Sequence, residues 1–139
     1  MRVLLDTNVL SEPLRERPDP AVMAQLEHGA HVLHTASVVL HELSDGIHRL
    51  APGRKQNRLN SYLEALLASG LTVLPYDRDA ALWHGAQRAR LEAKGQCPAF
   101  ADGQIAAIAA TQALVLVTRN TADFAAFEGL EVRNWFSQP

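Results

Sequence analysis

An alternation limits most what this chain can become: short apolar runs, each too brief for a buried helix, separated by longer segments with helical periodicity. The apolar runs are residues 2–5, 31–34, 71–75, 114–118 and 130–133. Their leucine and valine content, as in "LVLVT", suits strands buried on both faces. The segments between them carry helix punctuation. Asp19-Pro20 reads as an N-cap followed by proline at the first helical position, with Gly29 past the end. Residues 55–69 place Leu59, Tyr62, Leu63, Leu66 and Leu67 at helical spacing and close on Gly70. A helix starting near Ser37 has Val39, Leu43, Gly46, Ile47 and Leu50 as its core stripe. Residues 79–94 close on Gly95, residues 101–112 follow, and a short helix is expected to start at Asp123 in "DFAAFEG". Strands alternating with helices predict one α/β domain over residues 1–139. Its central parallel sheet should have about five strands, with helices on both sides.

The totals agree. A chain of 139 residues with 47% hydrophobic and 20% charged residues can bury a core without staples. Cys97 is the lone cysteine, so neither an intrachain disulfide nor a cysteine zinc cluster is available. Charged residues recur throughout, leaving no membrane span, and Val3–Leu5 is too short for a signal-peptide core; a cytoplasmic protein is expected. The net charge of −2 gives no global attraction to nucleic acid, so a polyanionic substrate would need local basic patches or metal ions.

In an open parallel sheet the carboxyl ends of the strands and the starts of the following helices share one edge, where ligands bind. Asp6 ends the first strand in "RVLLDTN". Asp102 begins the helix "DGQIAAIAA", in line with Ile105, Ile108 and Ala109, and Glu42 sits at the margin of its helix's stripe. Asn120 and Asp123 follow "LVLVT". Singly, each is explained as a cap, turn or solvated flank residue. Jointly they predict four carboxylates and an amide at one edge. Clustered acids cannot all ionise cheaply without a counter-charge, and hard oxygen ligands suit Mg²⁺ or Mn²⁺. Such ions activate water and offset charge on a phosphodiester.

Other readings are weaker. His41-Glu42 lacks the second histidine of a zinc-peptidase helix, because Asp45 stands in its place. "LLDTN" resembles the start of an aspartyl-phosphatase motif but has Asn8 where a second acid is needed. A receiver domain wants a lysine near its last strand, and the final lysine is Lys94. Arg49, Arg54, Lys55 and Arg58 surround the polar loop after Leu50 and are candidates for RNA contact, against a plain solvated helix end. Trp83 and Trp135 read as packing aromatics unless exposed.

"LLDTNVLSE", "HEL" around Glu42, "ADGQIAAIA" around Asp102, "LVTRNTADF" and the closing Asn134-Trp135 occur in that order over essentially the whole chain. Together they resemble the PIN-domain proteins, in particular the VapC- and FitB-like toxins of bacterial type II toxin–antitoxin pairs. The resemblance implies a Mg²⁺- or Mn²⁺-dependent ribonuclease, a hydrolase with a quartet of acids. Carried over by position, these are Asp6, Glu42, Asp102 and, since Asn120 stands where many relatives have an acid, Asp123. Thr7, Asn8, Thr118 and Asn120 are the supporting donors. It further implies a homodimer, a small VapB- or FitA-like antitoxin, and DNA contact only through that antitoxin. Two alternatives stay open: a PIN-fold binding module without catalysis, and a metal-dependent phosphatase.

Overall fold

The computed structural model describes residues 1–137. Five strands, β1 (Arg2–Leu5), β2 (Val32–Ala36), β3 (Thr72–Leu74), β4 (Val115–Val117) and β5 (Val132–Arg133), form one sheet in the order β3-β2-β1-β4-β5. Every neighbouring pair is parallel. The helices are α1 (Thr7–Leu10), α2 (Pro20–Glu27), α3 (Ser37–His48), α4 (Arg54–Ala68), α5 (Arg78–Ala93), α6 (Phe100–Thr111) and α7 (Thr121–Phe124), with a 3₁₀ turn at Glu12–Leu14.

The sheet centre is dry on both faces. Val3, Leu4 and Leu5 are consecutive, so they point alternately to opposite sides, and all three are buried. Leu116, Val117, Ile105, Ile108 and Phe124 are among the other fully buried core residues. The strand order reverses between β1 and β4, because the chain steps from β1 to β2 and β3 and then returns to β4 on the other flank. Such a reversal opens a crevice at the carboxyl edge.

Most expected elements are present with shifted ends. The second strand runs to Ala36 rather than His34, because the Thr35 hydroxyl donates to the Leu5 carbonyl at 2.9 Å and keeps the chain against β1. His31 falls outside it and instead stacks on Trp135, ring centroids 5.1 Å apart. Asp19 caps α2 as expected, accepting from Ala21 N at 2.8 Å. Gly70 and Gly95 take φ of 85° and 76° after α4 and α5, the left-handed conformation that glycine supplies without strain.

Two expectations are corrected. The last short helix begins at Thr121, not Asp123, and ends at Phe124, whose buried ring anchors it; Asp123 lies in its first turn. The stripe of α4 is half-buried at Leu59, Tyr62, Leu63 and Leu66, with Leu66 packed against the core and Leu67 exposed. On α3 only Val39 and Ile47 of the expected stripe are buried, and Gly46 is exposed.

Candidate active site

Asp6 is the first residue past β1 and is buried, with a relative exposure of 7%. Both its oxygens are held. Oδ1 accepts from the backbone N–H of Thr7 at 2.8 Å, which caps α1. Oδ2 accepts from the Thr118 hydroxyl at 2.8 Å and the Asn8 amide at 3.5 Å. Thr118 reaches it because β1 and β4 are paired in register, Leu5 opposite Val117, so their next residues emerge side by side. Asn8 also accepts from the backbone N–H of Arg119 at 3.0 Å, and the backbone N–H of Asn120 donates to the Thr118 hydroxyl at 3.1 Å. The Thr7 backbone and the Asn8 and Thr118 side chains thus all donate to the one carboxylate. Asn120 contributes only its backbone to this network; its side chain makes no cap bond on α7.

The remaining acids arrive on three separate elements. Asp102 lies in the first turn of α6, half-buried. Burial raises its pKa to about 6, with the charges of Asp6 and Asp123 adding to the effect. Burial also lifts Asp6 above the usual carboxylate range, against the hydrogen bonds from Thr118 and Thr7, and Asp123 pushes it further. Glu42, more open on α3, is raised by loss of hydration and then by Asp6 and Asp102. Asp6, Glu42 and Asp102 thus each feel the charge of at least one other acid of the set, which places them in one neighbourhood.

They do not form a closed cage. Among the described residues no three acid, imidazole or thiol side chains stand close enough to enclose one ion as they are. Asp102 and Asp123 line one hollow of about 560 Å³, while Glu42 lines the walls of two others. The Thr7 hydroxyl is buried and has no hydrogen-bond partner among the described residues. An all-carboxylate set, partly buried and mutually repelling, matches a hard divalent ion that keeps several waters between itself and its ligands.

The basic candidates lie elsewhere. Arg49 pairs with Asp45 at 2.8 Å, and Arg58 donates to the Leu14 carbonyl at 2.9 Å, tying α4 to the 3₁₀ turn. Arg54 and Lys55 are exposed at the start of α4. Arg49 is two helical turns past Glu42, about 10 Å along α3. The structure does not bring this group to the acids. Trp83 packs near Phe127, centroids 6.0 Å apart, and Trp135 is buried under His31, so neither offers a free face to a base.

Two features escape a reading of motifs. Glu12, in the 3₁₀ turn, is buried at 3% exposure. His84 on α5 is buried too; it shares a hydrogen bond with the Tyr76 hydroxyl at 2.9 Å, and its ring occupies the space that a Cβ on Gly103 would need. The glycine after Asp102 is thus required by packing, and α6 is seated against α5 at the turn that bears the acid. Only the glycine in "ADG" hints at this from sequence.

A parallel five-stranded sheet with acids at the reversal of its strand order defines an α/β protein with a candidate site at its carboxyl edge. The chain belongs to the PIN domain family, whose model matches residues 3–130. It is 34% identical over 136 residues to Toxin FitB of Neisseria gonorrhoeae, covering 96% of this chain and 98% of that one. It is likewise 34% identical over 137 residues to VapC ribonuclease Y4jK of Sinorhizobium fredii, covering 95% and 96%. In structure it is similar to a chain of VapBC2 from Rickettsia felis bound to a promoter DNA fragment. That match has a TM-score of 0.84 and 27% identity, over 97% of this chain and 99% of the other.

Proposed function

We propose that the chain is a Mg²⁺- or Mn²⁺-dependent endoribonuclease, the toxin of a type II toxin–antitoxin pair acting in the bacterial cytoplasm. The observation that carries this reading is the placement of Asp6 at the end of β1, Asp102 and Asp123 in the first turns of α6 and α7, and Glu42 on α3. There burial first and neighbouring acid charge second raise Asp6, Glu42 and Asp102. Asp6 and Asp102 are the principal ligands in this reading, with Glu42 and Asp123 completing the set directly or through water. When bound, the ion supplies Lewis acidity, sharpening the acidity of water and offsetting charge on the phosphodiester. The chain's own part is to fix Asp6 through Thr7, Asn8 and Thr118, and to hold Asp102 rigid on a buried helix.

Relatives named FitAB and VapBC pair a toxin with a second protein, some of them on DNA. By analogy a small VapB- or FitA-like antitoxin neutralises this chain, DNA is contacted only through that partner, and the chain forms a homodimer. The groove of about 270 Å³ between α3 and α4, walled by Leu43, Ile47, Leu59 and Leu63 and ending at Glu42, would take apolar side chains of such a partner.

A second reading, a PIN-fold binding module without catalysis, draws on the open spacing of the acids. Cleavage of RNA by the purified chain separates the two. The ribonuclease reading expects cleavage with Mg²⁺ or Mn²⁺, lost to EDTA and in Asp6→Asn; cleavage surviving both overturns the mechanism. Turnover of a chromogenic phosphate ester in place of RNA would favour a phosphatase.

A further inference from the structure

Beside the acids, on the β5 side of the carboxyl edge, lies a hollow of about 410 Å³ walled by Arg15, Arg17 and Arg119, with Glu12, Asp19 and Phe136 among its other residues. Its charge balance is unusual. Glu12 is buried, lies 3.8 Å from the Arg15 guanidinium and accepts from the Asp19 backbone N–H at 3.4 Å. Asp19 is fully engaged: it caps α2, and it accepts from the backbone N–H and the hydroxyl of Ser137 at 2.9 and 2.7 Å. Among the described residues neither Arg17 nor Arg119 has an acid within 4 Å. Two cations therefore face a concave surface with its acids already committed.

The hollow is coupled to the candidate active site through one side chain. Arg119 directly follows Thr118, whose hydroxyl holds Asp6, and its backbone N–H donates to the Asn8 side-chain Oδ1, while the Asn8 Nδ2 reaches Asp6. The Arg119 guanidinium lies over the Phe136 ring, 4.8 Å from its centroid. Stacking leaves the edges of the planar fork free to take an anion in two parallel hydrogen bonds. Phe136 itself is covered, so the hollow offers charge rather than a stacking surface for a base.

We propose that Arg17 and Arg119 form a backbone-phosphate subsite for the RNA strand flanking the scissile bond, with Arg15 held ready by Glu12. This rests on the ribonuclease reading and deepens it. Contact with phosphate rather than base makes the subsite indifferent to sequence and sensitive to salt.

The test is binding of a fluorescently labelled single-stranded RNA to the purified full chain in EDTA, by anisotropy across a series of salt concentrations. Each lost phosphate contact should flatten the slope of log affinity against log salt by about 0.7. Arg17→Gln is expected to lose about 0.7 and Arg17→Gln with Arg119→Gln about 1.4. Arg119→Lys should keep the wild-type slope, and Arg78→Gln, remote on α5 and paired with Asp79, should do likewise. With Mg²⁺ restored, the double variant should raise KM and leave kcat unchanged. Equal slopes for wild type and Arg17→Gln overturn the subsite; that change is at an exposed residue and does not depend on the Phe136 stack. If the wild type cleaves RNA while the slopes are equal, only this inference fails. If it neither binds nor cleaves RNA, the ribonuclease reading fails with it.

Discussion

Helices α4 and α6 invite comparison because the sequence announces them so differently. Residues 54–68 carry a clear leucine stripe, yet α4 buries none of its residues. Alanine-rich α6 has no polar face to speak of, and it buries Gly103 and all of residues 105–109. An amphipathic pattern marks a helix that lies on a surface, and an apolar circumference marks one that lies inside. The difference carries over to chemistry. Asp102, in the first turn of the buried helix, is half-buried and lines a hollow with Asp123. Arg54 and Lys55, at the tip of the surface helix, stand in solvent.

The sharpest way to break this contrast is to neutralise charge on each helix. Asp102→Asn should lower RNA cleavage by about a hundredfold or more, as removal of a charge from an ion-holding site does. Lys55→Gln should change it by no more than about threefold, the scale of an exposed charge. A steady-state rate comparison checks both.

Packing gives the next effect. Gly103→Ala puts a methyl group into the His84 ring, which is itself tied to Tyr76. Overpacking of this kind costs about 1–3 kcal/mol. Leu67→Ala on α4 should cost under about 0.5 kcal/mol, as for an exposed position. Chemical denaturation of the two variants gives the comparison directly.

A smaller effect reads the electrostatics of the buried helix. The Asp102 carboxyl titrates at about 6 in the fold, against 3.8 as its ordinary value. Between those values the folded protein holds the proton more tightly than the unfolded chain, so stability falls as pH rises through that window. With partial exposure discounted, the loss is about 1–2 kcal/mol, fully developed above about pH 6. In the metal-free protein the stability of wild type relative to Asp102→Asn should drop by that amount between pH 4 and pH 7. Saturating Mg²⁺ should remove the drop, as denaturation at each pH would reveal.

How far the sequence reaches follows from the same pair of helices. Strand runs, caps and the glycines after α4 and α5 are local signals, and they place five parallel strands and the main helices where they are found. The end of α6 is harder to see, because Ala113 takes the left-handed conformation, φ 55°, that a glycine normally signals. Helix α1 is four residues hung on Asp6 as its cap, too short for any periodicity. Asp6 at a strand end and Asp102 at a helix start are visible from position alone. The burial of Glu12 and His84 depends on contacts between elements distant in the chain, and the basic loop after Leu50 is drawn away from the acids by the direction α3 takes. Those are tertiary facts, and no local pattern encodes them.

The central claim is that the acids of the carboxyl edge act together on one divalent ion. Calorimetric titration of the metal-free protein with Mn²⁺ tests it most directly. Saturable binding by the wild type, weakened in Asp123→Ala and abolished in both Asp6→Asn and Asp102→Asn, is the expected result. Uptake that is absent in the wild type, or equal in the wild type and Asp6→Asn, would contradict it.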